Sequence, residues 1–259
     1  MLNFAANLTM LFNEDDFLKR FKAASDIGFQ GVEYLFPYDF DKNDIALELK
    51  THGLVQVLHN LPAGNWDHGE RGIACYPDRV SEFREGVDLA IEYANALNCQ
   101  QLNCLAGIPS ADHTPEEISD TLISNLRYAA EELKNEGIRL LIEPINVRDM
   151  PGFHLNYTNQ AREIIESVGS DNLFLQYDIY HMQIMEGDLT KTIESNLDII
   201  KHLQIADNPG RNEPGTGEIN YPFLFSILED FGYEGWVGCE YIPKNNTISG
   251  LQWIKQFLG

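Results

Sequence analysis

Four stretches of this chain each place one oxygen-bearing side chain at the end of an apolar run: Glu143 after Leu140, Leu141 and Ile142; Asp178 closing 173–178; Gln204 within 199–205; and Glu240 after Val237, Gly238 and Cys239. Runs of this length and composition suit strands buried on both faces. Pro144 holds Glu143 extended and begins to end its strand. A carboxylate at the mouth of a buried strand is costly unless a cation meets it. Taken singly, Glu143 reads as half of a structural ion pair. Fourfold repetition changes that reading, because the carboxyl ends of strands converge in a closed parallel barrel. Three carboxylates cannot share a dry site without positive charge. The set Glu143, Asp178, Gln204 and Glu240 is therefore expected to hold a divalent metal. Its donors are hard oxygens, without His or thiolate, which suits Mg²⁺ or Mn²⁺ rather than structural zinc.

Three negative ligands around a divalent ion leave one negative charge, so an acidic substrate needs basic or neutral donors beside it. His59, Arg71, His181 and Arg211 are the candidates for substrate binding. His59 ends an apolar run, and a satisfied core histidine is its duller explanation. His181 stands three residues beyond Asp178 and could otherwise cap a loop. Arg211 lies in a Gly/Pro-rich loop after the Gln204 strand and could otherwise pair with acidic surface. Arg71 belongs to a long loop, 61–77, of the kind that forms lids or binding loops. His52, His68 and His113 read as surface residues, and His154 is assigned to neither class.

The elements that must position these side chains alternate along the chain. Strands are expected at 2–8, 31–37, 54–60, 100–107, 139–143, 173–178, 199–207 and 236–241. Helices are expected at 14–27, 42–52, 78–97, 114–135, from 158 toward 168, from about 189, at 222–231 and at 248–257. Gly28 reads as a helix C-cap, Thr114 with Glu117 as a capping box, and Thr158 as an N-cap. No linker, low-complexity tract or charge block interrupts the series. Eight strand-then-helix units in 259 residues predict one (β/α)₈ TIM barrel over 1–259. Doubly wound sheets share the alternation, but no Gly-x-Gly-x-x-Gly follows the first strand, which disfavours a dinucleotide domain and any nicotinamide or flavin cofactor.

Apolar content of 44% and charged content of 22% are ordinary, whereas a formal charge of −22 is not. Such a surface repels nucleic acid and anionic membranes. Cys75, Cys99, Cys104 and Cys239 form no Cys-x-x-Cys pair and read as buried reduced thiols. Neither a leader segment nor a membrane-length apolar run is evident, so a cytoplasmic location is expected. A homo-oligomer is compatible with the sequence.

The segments around Glu143, around Asp178 to His181, from His202 to Tyr221 and around Glu240 resemble the hydroxypyruvate isomerase family, as do 59–64, 69–75 and the N-terminal 4–12. The wider group is the xylose-isomerase-like barrels, which include keto-sugar epimerases and endonuclease IV-type DNA repair enzymes. The resemblance implies interconversion of hydroxypyruvate and tartronate semialdehyde, with Glu143 and Glu240 as the proton-transfer pair. Gln204 stands where the epimerases usually carry a metal-binding His, which separates the chain from that branch. A 2-oxo-tetronate isomerase is the alternative within the same chemistry. A DNA repair enzyme is disfavoured by the charge and the oxygen-only donors, and a non-catalytic sugar-acid sensor by the presence of both acid and base.

Overall fold

The computed structural model describes residues 1–258, and its strands close into one parallel barrel. The strands are β1 (Asn3–Asn7), β2 (Gly31–Glu33), β3 (Val55–Asn60), β4 (Gln101–Cys104), β5 (Arg139–Ile142), β6 (Leu173–Asp178), β7 (Ile200–Ile205) and β8 (Trp236–Cys239). Each pairs with its sequence neighbour, and β8 returns to β1 through Ala5 opposite Gly238 and Ala6 opposite Cys239. The helices are α1 (Phe17–Ile27), α2 (Lys42–His52), α3 (Val80–Leu97), α4 (Pro115–Asn135), α5 (Thr158–Val168), α6 (Ile179–Met185), α7 (Leu189–Asn196), α8 (Tyr221–Asp230) and α9 (Thr247–Gly250).

The caps follow the local chemistry. Gly28 ends α1 in the left-handed conformation at φ 107°. Thr114 and Glu117 form the expected capping box of α4. Thr158 does not cap α5: it is the first helical residue, and its hydroxyl and backbone N–H donate to Glu186 instead. The segment after Asp178, to which the sequence assigned no element, is the helix α6, because Asp178 ends β6 and caps α6 at once. The expected final helix is a short α9 followed by a 3₁₀ turn over Gln252–Gln256.

Alternation along the strands splits the buried residues into two sets. Outward residues meet the helices in the main apolar core, and all four cysteines are free and buried. The lumen has a small apolar floor of Ala5, Val57, Leu58 and Leu141, with Phe174 and Trp236 against it. Above that floor the inward positions are polar. Asn7, Glu33, Asn103, Gln176, Asp178, His202, Gln204 and Glu240 are all buried.

Candidate active site

Glu143, Asp178 and Glu240 arrive from the ends of β5, β6 and β8, together with His181 from the first turn of α6. One donor atom from each lies within 4.8 Å of the others. The inward face explains this convergence: Phe174, Gln176 and Asp178 share one side of β6, so the last reaches the mouth.

Asp178 shows what the cluster lacks. Its Oδ1 accepts the backbone N–H groups of Tyr180 (2.7 Å) and His181 (3.3 Å), which fixes the carboxylate plane. Its Oδ2 is buried with no hydrogen-bond partner. Three carboxylates meet a single guanidinium, Arg211, whose Nη2 donates to Glu240 Oε2 at 2.8 Å. Burial is the first cause lifting Glu143 well above the usual carboxylate range, followed by the Glu240 and Asp178 charges. Burial likewise lifts Glu240, to about 8, against the pull of Arg211. With Arg211 opposing one carboxylate, two negative charges remain, which is what one divalent ion neutralises. The donor set and the orphaned Oδ2 therefore fit a metal ion.

His181 is brought to the cluster as a donor. The backbone N–H of Asp149 donates to Asn146 Oδ1 at 2.8 Å, so the Asn146 amide nitrogen must face His181 Nδ1, 2.6 Å away. Nδ1 then accepts, and the ring proton sits on Nε2. Burial, with Arg211 nearby, holds the imidazole well below its usual range and hence neutral. Nε2–H points between Asp178 Oδ2 (3.6 Å) and Glu143 Oε1 (3.9 Å), too far to bond either.

Gln204 is also brought in, but not as a ligand. Its oxygen accepts from Gln176 Nε2 at 2.6 Å, and its nitrogen donates to Glu33 Oε1 (2.8 Å) and Glu240 Oε1 (3.3 Å). The expected fourth metal oxygen is thus turned away, and Gln204 is a hydrogen-bond donor to Glu240.

Arg211 owes its place to the β7–α8 loop. Asp207 gathers that loop by accepting the backbone N–H groups of Gly215, Gly217 and Ile219. A Cβ at Gly217 would strike Asn208 O and Asp207 Oδ1, so the turn closes only around glycine. Arg211 takes a left-handed φ of 53° and lies over the Tyr180 ring at 5.2 Å.

Two expected substrate residues lie elsewhere. His59 pairs in register with Leu102 and faces the helical layer, against Tyr34 and Tyr38 rather than the mouth. Burial drives its pKa down to about 3, and neither ring nitrogen has a partner. It is a neutral core residue, a correction to its expected role. Arg71 stacks on Trp66 at 4.1 Å and donates to the Trp66 and Glu70 carbonyls of its own loop. Among the described residues it makes no hydrogen bond to the cluster.

Sequence reasoning also passed over Asn7, Glu33, Asn103, Asn146 and His202. Asn7 donates to Glu240 Oε1 (3.2 Å) and Asn103 to Glu143 Oε2 (3.0 Å). Glu33 offered the available signal, an acid ending the run Gly31, Val32, as Glu143 ends its own.

Fold and site define a class. The profile of the family described as xylose isomerase-like TIM barrel matches residues 21–257, and the chain belongs to that family. Within it the chain groups with the hydroxypyruvate isomerases. It is 56% identical to the hydroxypyruvate isomerase of Escherichia coli, over 99% of this chain and all of that one. It is 44% identical to the 2-oxo-tetronate isomerase of Cupriavidus necator, over the full length of both. A crystal structure described as AP endonuclease, family 2, from Brucella melitensis superposes with a TM-score of 0.98 at 49% identity, covering both chains completely.

Proposed function

We propose that this protein interconverts hydroxypyruvate and 2-hydroxy-3-oxopropanoate (tartronate semialdehyde). The observation that carries the proposal is the pair Glu143 and Glu240, entering one buried cluster from β5 and β8 around the bare Oδ2 of Asp178. The identity to the Escherichia coli isomerase over the whole chain supports the choice of reaction.

The reaction moves a carbonyl from C2 to C3 without net oxidation. One proton leaves C3, the electron pair passes through an enediolate and a proton arrives at C2, while the C3 hydroxyl proton is transferred to the former carbonyl oxygen on C2, leaving an aldehyde at C3 and a hydroxyl at C2. Mg²⁺ or Mn²⁺ held by Glu143, Asp178 and Glu240 would supply Lewis-acid stabilisation of the two adjacent oxygens. Glu240 is suited to take the C3 proton, because Asn7, Gln204 and Arg211 all donate to it and favour its anion. Glu143 receives the Asn103 side chain, with Gln176 beside it and, among the described residues, no guanidinium donating to it, and is suited to return a proton to C2. The Nε2–H of His181 is free to donate to the developing oxyanion.

A proton NMR assay in D₂O tests this assignment. Wild type should convert hydroxypyruvate and lose activity with chelator. Glu143→Gln should still wash deuterium into C3 while forming little product, and Glu240→Gln should do neither. Equal retention of near-native turnover in both variants would reject the scheme.

The second reading, isomerisation of the four-carbon 2-oxo-tetronate, is favoured by relatives of that name at 40–44% identity. Side-by-side turnover of the two acids decides between them. Action on nucleic acid is disfavoured by the charge of −22 despite the name of the Brucella structure. A small anionic 2-keto acid is the expected partner and the cytoplasm the expected location. Among the described residues no helix is long and apolar enough to cross a membrane.

A further inference from the structure

Below the carboxylate cluster lies a second charged group that the proton-transfer scheme leaves unused. Glu33 and His202 are both fully buried inside the barrel. His202 Nε2 stands 2.7 Å from Glu33 Oε2, and Gln101 Nε2 stands 3.4 Å from the other ring nitrogen, which leaves the proton on Nε2. Glu33 Oε1 accepts from Asn7 Nδ2 (3.0 Å) and Gln204 Nε2 (2.8 Å). All three hydrogen-bond partners of this carboxylate are donors. The space it fills is shaped for it, since a Cβ at Gly238 would collide with both of its oxygens.

The same two NH₂ groups reach upward. Asn7 Nδ2 and Gln204 Nε2 each direct a second hydrogen to Glu240 Oε1, at 3.2 and 3.3 Å. A primary amide can present nitrogen or oxygen, and only the nitrogen side can bridge two carboxylates. Turned the other way, either amide would aim an oxygen at Glu33 and withdraw a donor from Glu240. An acceptor-only group beneath both amides selects the bridging orientation. The oxygens of both amides are taken on their far sides, by the Thr9 backbone N–H and by Gln176.

We propose that Glu33, backed by His202, is a positioning residue that locks the Asn7 and Gln204 amides so that both donate to Glu240. It rests on the reading of Glu240 as a proton-transfer group. Glu33 touches neither substrate nor ion. Its hydrogen-bonding effect travels through two side chains, and its charge also reaches Glu240 directly.

Replacing Glu33 with Met removes the acceptor at similar size. Glu33→Met is expected to lower kcat about 10- to 100-fold, with KM changed less than about threefold. Glu33→Gln can still offer an oxygen to the two amides once His202 shifts its proton, so it should recover most of the lost rate. A packing role would not separate Met from Gln in this way. In a Gln204→Met background, the Glu33→Met penalty should shrink, because one of the two amides is gone. NMR adds a readout independent of turnover: the Gln204 and Asn7 side-chain NH₂ protons should exchange slowly in wild type and quickly in Glu33→Met. Native kcat in Glu33→Met, strict additivity with Gln204→Met, or fast exchange of both amides in wild type would each overturn the proposal. The wild-type exchange measurement holds even if a variant fails to fold. Absence of turnover of both keto acids by wild type would instead overturn the proposed function and leave the amide lock standing.

Discussion

Glu143 and Glu240 sit in one cluster with unequal company: Asn103 and Gln176 beside the first, and Asn7, Gln204 and the Arg211 guanidinium donating to the second. Amide replacement of either is expected to lower turnover by about 10²- to 10⁴-fold, the usual worth of a positioned acid or base, with the circular dichroism spectrum unchanged. His59 supplies a stability counterpart. Buried with both nitrogens unpartnered, it should be replaceable by Phe without loss of activity. Its pKa lies near 3 in the folded chain, below the unfolded value, so the unfolded state binds the extra proton. Stability from this residue is therefore complete above about pH 6.5 and falls as pH drops toward the folded value. Between pH 7.5 and 5, urea denaturation should show wild type losing about 2 kcal/mol more than His59→Phe. The acids ending long apolar runs were legible because alternation forces them inward. His59 was misjudged by one step of the same alternation: the β2–β3 register shifts between Val32 and Glu33, and a neighbour in a strand faces the opposite wall. The orientation of the Gln204 amide was beyond reach, since it depends on Glu33, 171 positions away along the chain.

At the level of elements, strand-helix alternation made the barrel readable, and α2 occupies the expected 42–52. Boundaries failed where one residue serves two elements. Asp178 closes β6 and opens α6, so a segment to which the sequence assigned no element is helix and His181 lies in its first turn. The β7–α8 loop is tied together by Asp207, which collects three of its backbone donors. Asp207→Ala should free that loop and with it Arg211. Steady-state kinetics are expected to show kcat/KM reduced by at least about 10-fold, and limited proteolysis should cut within 208–220 faster than in wild type. Unchanged kinetics would mean that Arg211 holds its position without the Asp207 hub.

For the whole molecule, the charge of −22 surrounds a lumen that is itself polar above its floor. Three buried carboxylates with oxygens within 4.8 Å of one another oppose folding unless a cation joins them. Addition of Mn²⁺ at about 100 times its dissociation constant should therefore stabilise the fold by about 2.7 kcal/mol, raising Tm by about 5 °C in a calorimetric scan. Chelator should reverse the shift, and Asp178→Asn should blunt it. No change on adding or removing divalent ions would count against a metal at this cluster.

The clamp on Glu240 also lies across the joint where the first and last strands of the barrel meet. Glu240 follows the last strand, Asn7 belongs to the first, and β1 pairs with β8 from Asn3 to Ala6. A chain in which β8 has not yet paired with β1 would leave Asn7 and Glu33 with no Glu240 above them to hold. Catalytic competence should thus emerge only as the barrel closes, and a refolding experiment should find enzyme activity returning in step with the slowest spectroscopic phase.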